Sequence, residues 1–179
     1  VQTCALPIYE RKWEKNWQFF QDKIIYSLNP YILLNDDCSV YKEKDIAWDR
    51  WTEKYGIPYL STNLFNIDGE LYSFFHSRVK TNHLSLQYYN GIVKYDEHLN
   101  ILGYYEDPIH TPRDIICKDL YSRYFEWKRK AEQSPTIVNT LFFMTAYTKL
   151  NKLFIYTGIN DCAAGIIEYE KEEIGRAHV

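Results

Sequence analysis

The stretch Asn63-Leu64-Phe65-Asn66-Ile67-Asp68-Gly69-Glu70-Leu71-Tyr72-Ser73-Phe74-Phe75-His76-Ser77 decides the fold. Two short runs of apolar and aromatic residues flank Asp68-Gly69, a dipeptide suited to the positive φ angles of a tight hairpin turn. Two other segments share this grammar. Asn16-Trp17-Gln18-Phe19-Phe20 passes through Gln21-Asp22 into Lys23-Ile24-Ile25-Tyr26-Ser27. Residues 139–145 pass through a turn at 149–151 into Lys152-Leu153-Phe154-Ile155-Tyr156-Thr157-Gly158.

A second hairpin follows the middle one, from Tyr88-Tyr89-Asn90-Gly91-Ile92-Val93-Lys94-Tyr95 through residues 96–100 into Ile101-Leu102-Gly103-Tyr104-Tyr105. The first unit continues through 31–34 and 39–41, the third through 163–169. Two hairpins per unit make four antiparallel strands. The spacing from Asn16 to Asn63 matches the roughly 40–50 residues of a propeller blade. The longer step from Asn63 to Asn139 contains an insertion. Residues 113–133 carry Ile116, Leu120, Tyr124 and Trp127 at helical spacing, which predicts a helix between blades. The sequence therefore predicts an all-β partial propeller with blades near 14–46, 60–108 and 137–172, the last cut mid-unit. Such units need neighbours on both sheet faces, so a hydrophobic face should lie uncovered wherever a blade is missing.

Both ends read as foreign to this pattern. Glu173-Ile174-Gly175-Arg176-Ala177-His178-Val179 can be written GAG ATC GGA AGA GCA CAC GTC, and Thr3-Cys4-Ala5-Leu6-Pro7-Ile8 as ACG TGT GCT CTT CCG ATC. These are reverse complements apart from the outermost bases, and both resemble a sequencing adapter. Residues 1–8 and 173–179 are accordingly read as adapter-derived, with 9–172 as an internal slice, of metagenomic type, from an incomplete propeller domain.

The bulk chemistry narrows the partners. A net charge of -3 over 179 residues gives no basic footprint for nucleic acid. No segment has the roughly 18 apolar residues of a membrane helix. Outside the ends, Cys38, Cys117 and Cys162 form neither a paired framework nor a metal spacing, which reads as idle thiols in a reducing compartment. A cytoplasmic setting is favoured, although a chain without its own start shows no leader in either case. Oligomeric state stays open. The scattered His83, His98 and His110 suggest no metal, and no cofactor motif appears. The outlier is 17% aromatic content, with 17 Tyr, 9 Phe and 5 Trp. Wide rings suit pleated sheets, and flat rings with polar edges also suit sugar faces.

Four further landmarks follow in order: Glu14-Lys15-Asn16-Trp17 with Ile25-Tyr26-Ser27-Leu28-Asn29-Pro30; Tyr72-Ser73-Phe74-Phe75-His76-Ser77 with Tyr88-Tyr89-Asn90-Gly91; Tyr104-Tyr105-Glu106-Asp107-Pro108-Ile109; and Phe154-Ile155-Tyr156-Thr157-Gly158-Ile159-Asn160-Asp161. Together they resemble landmarks of the five-bladed propellers of glycoside hydrolase family 130, the β-mannoside phosphorylases and relatives. The resemblance implies a carbohydrate-active protein working on β-mannosides or related oligosaccharides by phosphorolysis or hydrolysis. Inorganic phosphate would be a possible co-substrate, and the site would lie at the channel mouth. It implies substrate-binding roles for Lys15, His76 and Asp161. Asn16, Tyr26, Arg78 and Trp48 are further candidates for anion or sugar contacts.

Inverting cleavage needs a general acid opposite a nucleophile, and phosphate needs fixed cationic donors. The family's catalytic Asp precedes the Glu-Lys motif and has no counterpart here, so the slice itself is expected to be inactive. The family's arginines are missing near Tyr26-Ser27-Leu28, and Tyr59-Leu60-Ser61-Thr62 keeps only the Thr of an Arg-Gly-Gly-Thr run. A non-catalytic glycan-binding propeller and a glycosyltransferase-associated relative therefore stand beside the enzyme. Each named residue also has a plainer reading: His76 as a structural histidine, Lys15 as a surface charge, Asp161 as a turn residue. Arg78 reads equally as a solvated loop residue, and Trp48 as packing between blades.

Overall fold

The computed structural model describes residues 16–82, 85–109, 137–139, 141–159 and 163–175. The helix expected over 113–133 lies outside them. The architecture is all-β: three sheets stack face to face in chain order, as consecutive propeller blades do, without closing into a barrel.

The first sheet is a plain meander of β1 (Gln18–Phe20), β2 (Lys23–Leu28), β3 (Tyr31–Asn35) and β4 (Val40–Lys44). The helix α1 (Asp49–Tyr55) then leads to the second sheet. There β7 (Glu70–Asn82) and β8 (Ser85–Tyr95) form the long central pair. Two short strands, β5 (Tyr59–Leu60) and β6 (Phe65–Ile67), share the outer edge of β7. The outer edge of β8 is shared by β9 (Ile101–Tyr104) and β10 (Ile137–Asn139), the latter parallel to it. The third sheet joins β11 (Leu141–Lys149), β12 (Lys152–Ile159) and β13 (Ala163–Glu170), followed by the short helix α2 (Lys171–Gly175).

The hairpin turns form where the sequence places them. Asp68 and Gly69 have φ of 51° and 93°, while Gln21 and Leu150 take positive φ at the other two turns. Asn139 departs from the expected repeat. It ends β10 and pairs with Gln87, so 137–139 extends the second sheet and the third sheet begins at Leu141.

Strand alternation places the core. On β7, Phe75 faces the first sheet while Tyr72 and Phe74 face the third. The first interface packs Ile25, Leu28, Tyr31 and Leu33 against Phe75, Val93 and Tyr95, with Trp48 and Trp51 wedged between the sheets. The second packs Phe65, Tyr72, Phe74 and Ile92 against Phe143, Leu153 and Ile155. Ile174 of α2 joins that cluster, and its carbonyl accepts the Tyr105 hydroxyl.

Among the described residues, the third sheet has an uncovered face. There Met144, Tyr147, Tyr156 and Ile166 are exposed, with Tyr147 stacked on Phe154 at 5.1 Å. The far face of the first sheet is buried instead, because Trp17 and Cys38 pack over Ile24, Tyr26, Ile32 and Leu34. Cys38 also corrects the reading of idle thiols, since it is disulfide-bonded.

Candidate functional site

One face of the second sheet carries the candidate site. Registry pairs Tyr59 with His76 across β5 and β7, His76 with Asn90, and Arg78 with Tyr88 across β7 and β8. Paired residues share a face, and every second residue of a strand returns to it. Tyr59, His76, Arg78, Tyr88 and Asn90 therefore stand together, continuing the side that buries Phe74 against the third sheet.

The rings form a row. The His76 ring lies 5.9 Å from Tyr59 and 5.7 Å from Tyr88, inclined by 29° and 20°. Tyr59 is exposed while His76 and Tyr88 are half-buried, so the row is open to a ligand at one side and supported at the other. Ser61 Oγ and His76 Nδ1 share a hydrogen bond of 2.6 Å, which fixes the ring plane. Ser61 is itself anchored, because its N–H donates to Phe74 O at 3.2 Å. Asn90 closes the deep end: it is buried, and its Oδ1 accepts the Phe143 N–H at 3.3 Å. The exposed Arg78 supplies a cation on the same strand face.

The other sequence candidates separate. Trp48 is corrected: it is buried between the first two sheets, donates Nε1–H to Leu28 O at 2.9 Å and stacks on Tyr104 at 4.2 Å. It has no face left for a sugar. Tyr26 is likewise buried, on the far face of the first sheet beside Trp17. Asn16 is half-buried at the start of β1 with φ of 67°. Lys15 and Asp161 lie outside the described residues. Of the seven candidates, the structure brings together His76 and Arg78.

No protein-family model and no curated protein matches the chain. Among solved structures it is similar to a protein from Parabacteroides distasonis ATCC 8503 provisionally described as a glycoside hydrolase. That match has 13% identity and a TM-score of 0.46, over 85% of this chain and 48% of the other. It is also similar to a glycosyl hydrolase from Bacteroides ovatus, at 13% identity and a TM-score of 0.49, over 87% and 47%. The likeness is distant. The chain spans about half the length of these structures.

Sequence reasoning missed Tyr59 and Ser61. Both sit in the Tyr59-Leu60-Ser61-Thr62 run, which stands out in sequence only as a departure from a family pattern. Their role appears once registry sets Tyr59 opposite His76 and the chain bends so that Ser61 reaches the imidazole. A turn-residue or charge signal could not have marked them. Among the described residues, no three His, Cys, Asp or Glu side chains cluster as metal ligands, and no helix is long and apolar enough to cross a membrane.

Proposed function

We propose that this chain belongs to a carbohydrate-active propeller in which the Tyr59–His76–Tyr88 face binds a sugar. The observation that carries the reading is the stack of three near-parallel rings that ends in the exposed Tyr59, fixed by Ser61 and bordered by Arg78. The exposed Tyr59 ring offers an apolar surface to a pyranose face, while the imidazole, phenol and guanidinium groups offer hydrogen bonds to its hydroxyls. Arg78 also suits a phosphate, as a phosphorylase would require.

Within this reading the substrate is a β-mannoside or related oligosaccharide, cleaved by phosphorolysis or hydrolysis. The general acid would come from a blade preceding Glu14. His76 shares a hydrogen bond with the Ser61 hydroxyl and lies between two tyrosine rings, an arrangement suited to holding a ligand. That feature favours the second reading, a propeller that binds glycan without cleaving it. Titration of this chain with β-mannooligosaccharides separates binding from no binding. Tyr59→Ala should weaken affinity by about tenfold through lost stacking. Unchanged affinity in both Tyr59→Ala and His76→Ala would defeat the site. Mannose release by the longer parent, with and without phosphate, then separates phosphorolysis, hydrolysis and binding alone.

A further inference from the structure

The same sheet face carries a second concavity at its opposite end, a cavity of about 290 Å³ beside the β6–β7 turn. Between the two ends, Phe74 is fully buried and meets Phe143 edge-on at 4.8 Å, so closed core separates the cavity from the His76 row. At the cavity, Glu70 Oε1 accepts the Lys94 ammonium at 2.5 Å and Oε2 accepts the Tyr72 hydroxyl at 2.7 Å. Burial, followed by the bond to Glu70, pushes the Tyr72 phenol well above its ordinary range, so it remains a donor. The rest of the wall is mainly apolar, from Ile67, Ile92, Leu102 and Tyr105.

We propose that this cavity is a second saccharide-binding site that takes one neutral pyranose unit of a glycan. Three features select that class. The volume is small, near the lower end of ligand pockets. Aromatic and aliphatic walls offer the contact a sugar-ring face needs, while Glu70 retains lone pairs and Lys94 retains N–H groups for hydroxyls. Two carboxylates, Asp68 and Glu70, outnumber the single ammonium of Lys94, so phosphate, sulfate and uronic acids are repelled. The site stands on its own geometry and does not depend on the His76 face.

Gly103 provides the test. It is paired with Lys94 across β8 and β9, so a side chain there would point to the cavity side, and a Cβ would meet no heavy atom within 4 Å. Gly103→Leu therefore fills the cavity without a clash. Saturation-transfer NMR with methyl glycosides of mannose, glucose and galactose, together with amide shift mapping, reads the outcome. Wild-type chain and Tyr59→Ala should both bind at least one glycoside, with shifts at Lys94 and Gly103, and Gly103→Leu should weaken that binding by about tenfold or more. Thermal melts confirm that the variant is folded. Three results would overturn the second site: no glycoside bound, equal binding by Gly103→Leu, or shifts confined to Tyr88 and its neighbours. The last would leave the His76 face standing.

Discussion

The side-chain amide of Asn63 grips the backbone of Ala146 from both sides: Nδ2 donates to Ala146 O at 2.9 Å, and the Ala146 N–H donates to Oδ1 at 3.1 Å. The Thr145 hydroxyl donates to the same Oδ1. One asparagine thus imitates a strand residue and extends hydrogen bonding from the second sheet to the third. Asn63 and Thr145 hold matching places in their hairpins, counted back from Glu70 and Lys152. A parallel link joins the first two sheets, where Gln18 Nε2 donates to Thr62 O.

Asn63→Ala should therefore cost about 2–3 kcal/mol, because it removes several hydrogen bonds and strands partly buried backbone groups of Ala146. Equilibrium denaturation checks the size. Amide exchange checks the place, with protection falling first on β11. A loss below about 0.5 kcal/mol, the range of an ordinary surface substitution, would show that packing alone holds the third sheet.

How far the sequence carried the reading can be judged from these residues. The three turns at Gln21, Asp68 and Leu150 were legible because local backbone chemistry sets them. The both-faced burial of β7 follows from its nearly unbroken apolar run. The place of Asn139 was not legible, since the parallel pairing of β10 with β8 joins residues far apart in the chain and leaves no periodic mark. Trp48 shows a similar limit. A tryptophan in a connection is equally suited to stacking on sugar or filling a sheet interface, and only its bond to Leu28 O decides. In the candidate site, His76 was visible as a polar end to an apolar strand. Tyr59 and Ser61 became visible only through registry.

Gly91 is required by contact rather than by backbone conformation. A Cβ there would lie 2.3 Å from Phe75 Cζ and under 3 Å from both ring Cε atoms. The Phe75 ring cannot withdraw, because it is fully buried and meets Trp48 and Trp51 edge-on at 5.2 and 4.7 Å. Gly91→Ala should destabilise by about 1–3 kcal/mol, the usual range for overpacking. The tryptophan fluorescence of the native state should shift as well. An unchanged denaturation midpoint would mean that the ring moves more freely than its neighbours allow.

Trp48→Phe separates structure from binding. The substitution removes the donor to Leu28 O and part of the stack on Tyr104, for an expected loss of about 1–3 kcal/mol. Because Trp48 lies in the core between the first two sheets, glycan affinity of the folded variant should match wild type. Isothermal titration on both proteins reads this. A selective loss of affinity with stability intact would return Trp48 to the site.

Acid should weaken the contact between the first two sheets through Asp96. Burial raises its pKa, but bonds from Asn100 Nδ2 at 2.6 Å, Asn100 N–H at 2.7 Å and His98 N–H at 2.9 Å outweigh that, leaving the carboxyl below its ordinary value. This turn presents Leu99, whose carbonyl accepts the Tyr31 hydroxyl, and Asn100, whose Oδ1 accepts the Lys42 ammonium. A depressed folded-state pKa gives stability that is present above the unfolded value. That stability disappears as pH falls through the folded value. Asp96→Asn should therefore lower the denaturation midpoint near neutrality, with the gap from wild type closing below about pH 4, where carboxylates protonate. The depressed pKa values of Asp22, Asp37 and Glu70 act elsewhere and cancel in the comparison. A gap that stays constant down to pH 3 would show that Asp96 holds the turn by shape and not by charge.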